Sequence, residues 1–201
     1  MGLNTVAFLG SPRKRGNTER LLDAALEGVR AEGGDASIFR LSELNIHPCR
    51  NCGGCAKTGK CVVLDDDMAA IYEKIRSADR IILASPIYFF SVSAQTKIMI
   101  DRCQAFWSGK YLLKRPLPSG PFGRKGLLLL VGAYRKDPSG LRCAETCGVS
   151  FFHSVNISDH RTVAVLGPDG LGAIRDYPES LAEAVEAGKW LAGAKEGQHS
   201  R

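Results

Sequence analysis

Residues 3–18 read Leu3-Asn4-Thr5-Val6-Ala7-Phe8-Leu9-Gly10-Ser11-Pro12-Arg13-Lys14-Arg15-Gly16-Asn17-Thr18. The stretch Leu3 to Leu9 has the composition of a buried strand, and Gly10-Ser11-Pro12 stops it. Asn17 or Thr18 is placed to cap a helix whose apolar stripe is Leu21, Leu22, Ala25 and Val29, and Gly33-Gly34 ends that helix. The same strand-then-helix unit recurs along the chain. Ala36 to Leu41, Arg80 to Ser85, Gly126 to Gly132 and Thr162 to Leu166 read as strands. Helices are expected from Asp65-Asp66-Asp67 onward, with Met68, Ile71, Ile75 and Ala78 buried, and over Ala94–Trp107, Ser139–Phe152 and Glu179–Ala194. Alternation of this kind predicts an α/β protein with one doubly wound, five-stranded parallel sheet flanked by helices. Gly126 to Gly132 is apolar throughout, as a parallel strand covered on both faces must be.

The 201 residues suit one domain, expected over 1–194, with residues 195–201 as a polar, mobile tail. Hydrophobic residues at 44% and charged residues at 24% describe a globular chain rather than a disordered one. No apolar run approaches the ~20 residues of a membrane span, and the N-terminus does not read as a signal peptide. The net charge of +6 comes from scattered basic residues without a Lys/Arg stripe, which favours an anionic small ligand over nucleic acid. Seven cysteines without a secretion signal predict a reducing, cytoplasmic setting.

In a doubly wound sheet, ligands bind beyond the carboxyl ends of the strands, where the strand order reverses. The loop Gly10–Thr18 enters a helix N-terminus, where unpaired backbone N–H groups and the helix dipole attract an anion. Ser11, Arg13, Arg15, Gly16, Asn17 and Thr18 are the candidate phosphate-binding residues. The loop is neither a Walker loop, since Gly10 and Gly16 are separated by five residues, nor a Gly-x-Gly-x-x-Gly dinucleotide fingerprint. After the third strand, Ser85-Pro86-Ile87-Tyr88-Phe89-Phe90-Ser91 places three aromatics where a flat heterocycle would find an apolar wall. Packing of those aromatics in the core or at a subunit interface is the alternative.

Between the second strand and the following helix lies an excursion, residues 45–64, longer than an ordinary connection. It holds Cys49, Cys52, Cys55 and Cys61 in the pattern Cys-x2-Cys-x2-Cys-x5-Cys, with Gly53-Gly54 and the cations Arg50, Lys57 and Lys60 nearby. Closely spaced thiolates in a glycine-rich loop suit an iron–sulfur cubane. Zinc is the chemical alternative, although structural zinc favours two pairs separated by a longer spacer. Cys103, Cys143 and Cys147 show no such pattern and are expected as buried thiols. The four histidines are too dispersed for a metal site or a catalytic triad.

Gly10-Ser11-Pro12-Arg13 with Gly16-Asn17-Thr18, then Ser85-Pro86-Ile87-Tyr88-Phe89, Ser91-Val92-Ser93-Ala94-Gln95 and Ile100-Asp101-Arg102, resembles the flavodoxin-like NADPH-dependent FMN reductase family. With the cysteine stretch included, the chain resembles the iron–sulfur flavoprotein branch of that family. The likeness is strong over about residues 1–110. It implies a flavodoxin-like fold, FMN with its ring against Pro86, Ile87, Tyr88 and Phe89, and a labile [4Fe–4S] cluster on the four cysteines. Gly132 and Ala133 are the positions where backbone could approach the ring from the third loop, although Tyr134 and Arg135 depart from the family's glycine-rich form. The resemblance further implies an FMN-dependent oxidoreductase, a homodimer or tetramer, and either NAD(P)H or a ferredoxin-like protein as electron donor. An NAD(P)H-dependent FMN or quinone reductase without a functional cluster stands as the second expectation, and a flavin-bound regulator without turnover as the third. No side chain is assigned general acid or base work.

Overall fold

The computed structural model describes residues 3–135 and 139–193. Strands β1 (Thr5–Leu9), β2 (Ala36–Arg40), β3 (Arg80–Tyr88), β5 (Lys125–Gly132) and β6 (Asp159–Leu166) run parallel in the order β2-β1-β3-β5-β6, and the two-residue β4 (Ser91–Val92) pairs antiparallel with β3. The chain lays β2 on one side of β1 and β3 on the other, so the switch point falls between β1 and β3. This is the doubly wound, flavodoxin-like sheet that the alternation predicts. Strands β1 and β5 are buried along their whole length, which is why they are written almost without polar residues.

Seven helices occur among the described residues, α1 (Asn17–Ala31), α2 (Gly54–Thr58), α3 (Met68–Ser77), α4 (Ala94–Arg102), α5 (Gln104–Trp107), α6 (Ser139–Ser154) and α7 (Pro178–Ala192); all but the short α2, which belongs to the cysteine excursion, pack on the two faces of the sheet. The expected stripes are buried, namely Leu21, Leu22, Ala25 and Val29 on α1 and Met68, Ile71, Ile75 and Ala78 on and just after α3. They form two separate cores, one on each face of the sheet. No helix is long and apolar enough to cross a membrane.

Several expected boundaries move for identifiable reasons. The expected cap of α1 passes from Asn17 or Thr18 to Gly16, whose extended backbone brings no capping side chain. The Asp65–Asp67 run precedes its helix, and Asp66 accepts hydrogen bonds from the backbone N–H groups of His47 and Met68 at 2.9 and 3.1 Å. The helix expected over Ala94–Trp107 breaks at Cys103, and α5 continues into a widened turn over Ser108–Leu112. The loop expected after Ser85 is instead a tight hairpin, with Ile87 opposite Val92 and Tyr88 opposite Ser91. Phe89 and Phe90, at its tip, both take positive φ. That turn normally selects Asn-Gly, so nothing in two phenylalanines announces it. The expected tail, residues 195–201, lies outside the described residues.

The basic pair Arg124-Lys125 is also not the ligand-attracting field that its charge suggests. Together with Arg80 it is buried at the opposite edge of the sheet from the strand C-termini. Arg80 donates to the carbonyls of Leu191 and Gly123 at 2.6 and 2.8 Å, and Lys125 to those of Trp190 and Gly193 at 3.0 Å each. Arg80 and Lys125 satisfy the carbonyl end of α7, where the helix dipole is negative, and Arg124 donates to the carbonyl of Ile75 in α3 at 2.7 Å.

Candidate functional site

Because the five long strands are parallel, the loops after all of them gather along one edge. At the switch point an open cleft of about 160 Å³ is lined by Ser11, Arg13, Gly16, Asn17, Thr18, Pro86, Ile87, Tyr88 and Ala133, with Val131, Pro168 and Asp169. Nine of the expected contact residues therefore share one wall. Phe89 and Gly132 belong instead to an adjoining apolar recess of about 300 Å³, which shares Ile87 and Ala133 with the cleft and is closed by Phe90, Tyr134, Gly140, Leu141 and Leu166. Together the two lobes reach the roughly 300–1,000 Å³ of a cofactor site. Arg15 lines neither lobe; it is exposed in a left-handed conformation. Gly132 packs closely, and a side chain there would press on Ile87 and Leu166, which would have to give by a few tenths of an ångström.

The α1 end of the cleft is built from absences that the sequence only half reveals. With Gly16 as cap, no side chain occupies the N–H groups opening α1. The Ser11 hydroxyl accepts from the Arg13 N–H at 3.3 Å, which leaves its own hydrogen for another acceptor. Thr18 is buried and borders the cleft, and its hydroxyl has no hydrogen-bond partner among the described residues. Asn17 has a different duty. Its amide donates to the carbonyl of Gly170 at 2.9 Å and accepts from the N–H of Ile174 at 3.2 Å, fixing the loop after β6. That loop supplies Pro168 and Asp169, which the reading of the sequence did not include. Its Pro168-Asp169-Gly170 order, a turn signature directly after a strand, was the available signal. Arg13 is the basic and Asp169 the acidic side chain of the wall.

A buried hydroxyl network locks the two loops to each other. Ser93 Oγ donates to the carbonyl of Gly10 at 2.8 Å and lies 2.9 Å from Thr96 Oγ1, which reaches Ser85 Oγ at 3.2 Å. Ser85 Oγ in turn accepts from the Ser93 N–H and donates to the carbonyl of Pro86, both at 2.9 Å. All three hydroxyl residues are fully buried, so the network holds the loop after β1 against the hairpin without help from water.

Glu19, in the first turn of α1, accepts from the Arg15 N–H at 2.5 Å and pairs with Arg40. The Arg40 hydrogen bond holds its carboxyl below the usual range despite burial, with the Arg15 N–H helping. A carboxylate with a depressed folded pKa contributes stability above its unfolded value of about 4.3 that is lost as pH falls through the folded value. Chemical unfolding between pH 7 and 3 should therefore show a Glu19→Gln variant less stable at neutral pH and losing less stability on acidification than the parent; parallel curves would contradict this.

The cysteine stretch leaves β2, next to β1, on the same edge of the sheet. Cys49, Cys52, Cys55 and Cys61 all line one cavity of about 130 Å³, whose floor is Arg102, Ala105 and Ser108. Among the described residues no three His, Cys, Asp or Glu side chains close on a single metal ion, so the thiols surround a space rather than a point. Asn51, Gly53 and Gly59 take positive φ, which curls the loop and the short α2 around that space. Ser108 Oγ lies 3.6 Å from Cys55 Sγ, and Arg102 Nη2 lies 3.7 Å from Cys61 Sγ. Burial pushes the Cys61 thiol up, but the Val63 backbone, Tyr72 and Arg102 outweigh it and hold the thiol below its ordinary range. Arg102 lines the cavity, and its Nε is buried without a hydrogen-bond partner among the described residues. Four thiols around one cavity, a lowered thiol and an orphaned cationic donor fit an anionic, multi-thiolate group. This cavity and the cleft share no lining residue. Of the remaining cysteines only Cys103 is buried; Cys147 is partly covered and Cys143 is exposed, against the expectation of buried thiols.

The sequence pattern of the NADPH-dependent FMN reductase family matches residues 3–145, which span the loops after β1 and β3 and the cysteine excursion. The chain belongs to this family. An iron–sulfur flavoprotein of Methanocaldococcus jannaschii is 32% identical over 171 residues, covering 85% of this chain and 83% of that protein. A second iron–sulfur flavoprotein, from Methanosarcina thermophila, is 41% identical over 105 residues but covers 52% of this chain and 54% of its own length. The chain thus spans most of the first relative and about half of the second. In fold it is similar to an NAD(P)H:quinone oxidoreductase from Methanothermobacter marburgensis, with a TM-score of 0.76, 17% identity and full coverage of both chains. The NADPH-dependent FMN reductase family is one of FMN-dependent oxidoreductases, and this chain is a member of its iron–sulfur flavoprotein group.

Proposed function

We propose that the chain relays electrons between a [4Fe–4S] cluster, held by Cys49, Cys52, Cys55 and Cys61, and FMN held in the cleft. The observation that carries this reading is that all four cysteines wall one cavity while the phosphate and aromatic loops wall another on the same sheet edge. Ser11, Thr18 and the first amides of α1 would hold the FMN phosphate, with Arg13 adding charge. Pro86, Ile87 and Tyr88 would meet the ring, and the apolar recess with Phe89, Gly132 and Ala133 would keep water from it. When bound, FMN supplies both two-electron hydride and one-electron chemistry, and the cluster supplies single-electron transfer. The protein's part is binding, orientation and tuning of potentials, and no side chain need gain or lose a proton. Because cleft and cavity share no lining residue within one chain, the relay would suit a homo-oligomer that brings them together across subunits. A ferredoxin-like carrier or NAD(P)H would supply the electrons.

Anaerobic purification tests the reading: about four iron and four sulfide per chain, with one FMN, are expected. Flavin without iron under those conditions would favour the reductase lacking a cluster. Cys52→Ala should lose the iron and keep FMN bound, as followed by visible absorbance and iron assay. Loss of both would mean that the excursion is a folding element.

A further inference from the structure

Arg102, the last residue of α4, is the one cation that reaches the cysteine cavity from the folded body of the protein rather than from the excursion itself, among the residues lining it. Its side chain is 2% exposed and its ion-pair partner, Asp66, is fully covered. The guanidinium spans the two stems of the excursion. Nη1 donates to the carbonyl of His47 at 2.9 Å, just before Cys49, and Nη2 to the carbonyl of Val63 at 2.5 Å, just after Cys61. Asp66 anchors the fork from behind at 2.5 and 3.3 Å. Beyond these bonds, Nη2 also lies 3.7 Å from Cys61 Sγ, and Nε is buried without a hydrogen-bond partner among the described residues. A planar fork with five donors can satisfy both stems, the carboxylate and a sulfur at once, which an ammonium cannot. Leaving a charged donor buried and unpaired is costly, so the unsatisfied Nε of this cavity-lining guanidinium favours an anionic group nearby.

We propose that Arg102 is a positioning residue for the group held by Cys49, Cys52, Cys55 and Cys61, clamping both stems of the loop and raising the group's reduction potential through its cationic N–H donors. The proposal rests on the cluster reading given above. A fixed positive charge and N–H···S hydrogen bonds favour the more negative, reduced state, and burial keeps water and salt from screening them.

The test is an anaerobic redox titration of the cluster-loaded full chain, followed by EPR, on the parent, Arg102→Gln, Arg102→Lys and the exposed control Lys57→Gln. Circular dichroism monitors folding, and chelator challenge measures iron release. In Arg102→Gln the reduced-to-oxidised ratio at fixed potential should fall at least tenfold, a shift of about 59 mV to more negative potential for one electron. Iron release to the chelator should quicken by roughly tenfold, as for other outer residues of metal sites. Arg102→Lys should fold and load, with the ratio reduced about threefold or more, because it keeps charge but not the fork. Lys57→Gln should change the ratio less than about twofold, since solvent screens it. If Arg102→Gln fails to fold, the lysine variant decides the matter alone. A loaded parent with unchanged potential and release rate in the folded variants would overturn the proposal and leave the cluster reading intact. A parent that takes up no iron would overturn both.

Discussion

The Ser11→Ala/Thr18→Val double variant is expected to weaken FMN binding by about 3–6 kcal/mol, a loss of roughly 10²–10⁴ in affinity, because each hydrogen bond to a charged group is worth about 1.5–3 kcal/mol. Both hydroxyls border the cleft at the opening of α1, and neither supports the surrounding fold. Ser11 only receives the Arg13 N–H within its own loop, and valine preserves the shape of the buried Thr18 side chain. Affinity should therefore change far more than stability, as measured by quenching of flavin fluorescence beside thermal unfolding of the flavin-free protein. Asn17→Ala is expected to differ in kind. Its amide holds Gly170 and Ile174, so its loss should loosen the loop after β6 and lower stability along with affinity. Binding of FMN by the double variant within threefold of the parent would remove the hydroxyls from the phosphate site.

Gly188→Ala is expected to cost more than about 3 kcal/mol of stability, a large share of the roughly 5–15 kcal/mol of a typical domain. Helices α1 and α7 touch backbone to backbone: a Cβ on Gly188 would land on the carbonyl of Ala25, and one on Gly28 would land on the carbonyl of Val185. Neither obstacle is the end of a flexible side chain, so the helices must part and open the core that contains Leu21, Leu22, Ala25, Ala184 and Leu191. Gly28→Ala should match it. Gly170→Ala is the control, since only Ala173 lies near its added methyl, and it should change stability by less than about 0.5 kcal/mol. Urea midpoints of the three variants check the expectation; a Gly188→Ala midpoint equal to that of Gly170→Ala would refute the close-contact account.

The sheet was legible in the sequence because hydrophobic period and turn residues act locally. The stripes of α1 and α3 and the apolar β5 could hardly be read otherwise, and parallel topology then placed the cleft. What resisted reading depends on contacts distant in sequence. Asn17 looks like a cap, but its amide is drawn to residues more than 150 positions away. Pro168 and Asp169 follow the last strand and meet α1 only through the fold. The Phe89-Phe90 turn opposes local preference and is carried by the pairing of β3 with β4. The cysteine spacing announced a multi-thiolate site, yet Arg102, 41 residues beyond Cys61, carries no spacing signal that links it to that site.

Titration of the flavin-free protein with FMN and, separately, with riboflavin tests the phosphate anchor most directly. FMN should bind one per chain and riboflavin at least about a thousandfold more weakly, since the proposed anchor of hydroxyls and α1 amides would act on the phosphate alone. Equal affinity for the two flavins, or binding of neither, would contradict the anchor.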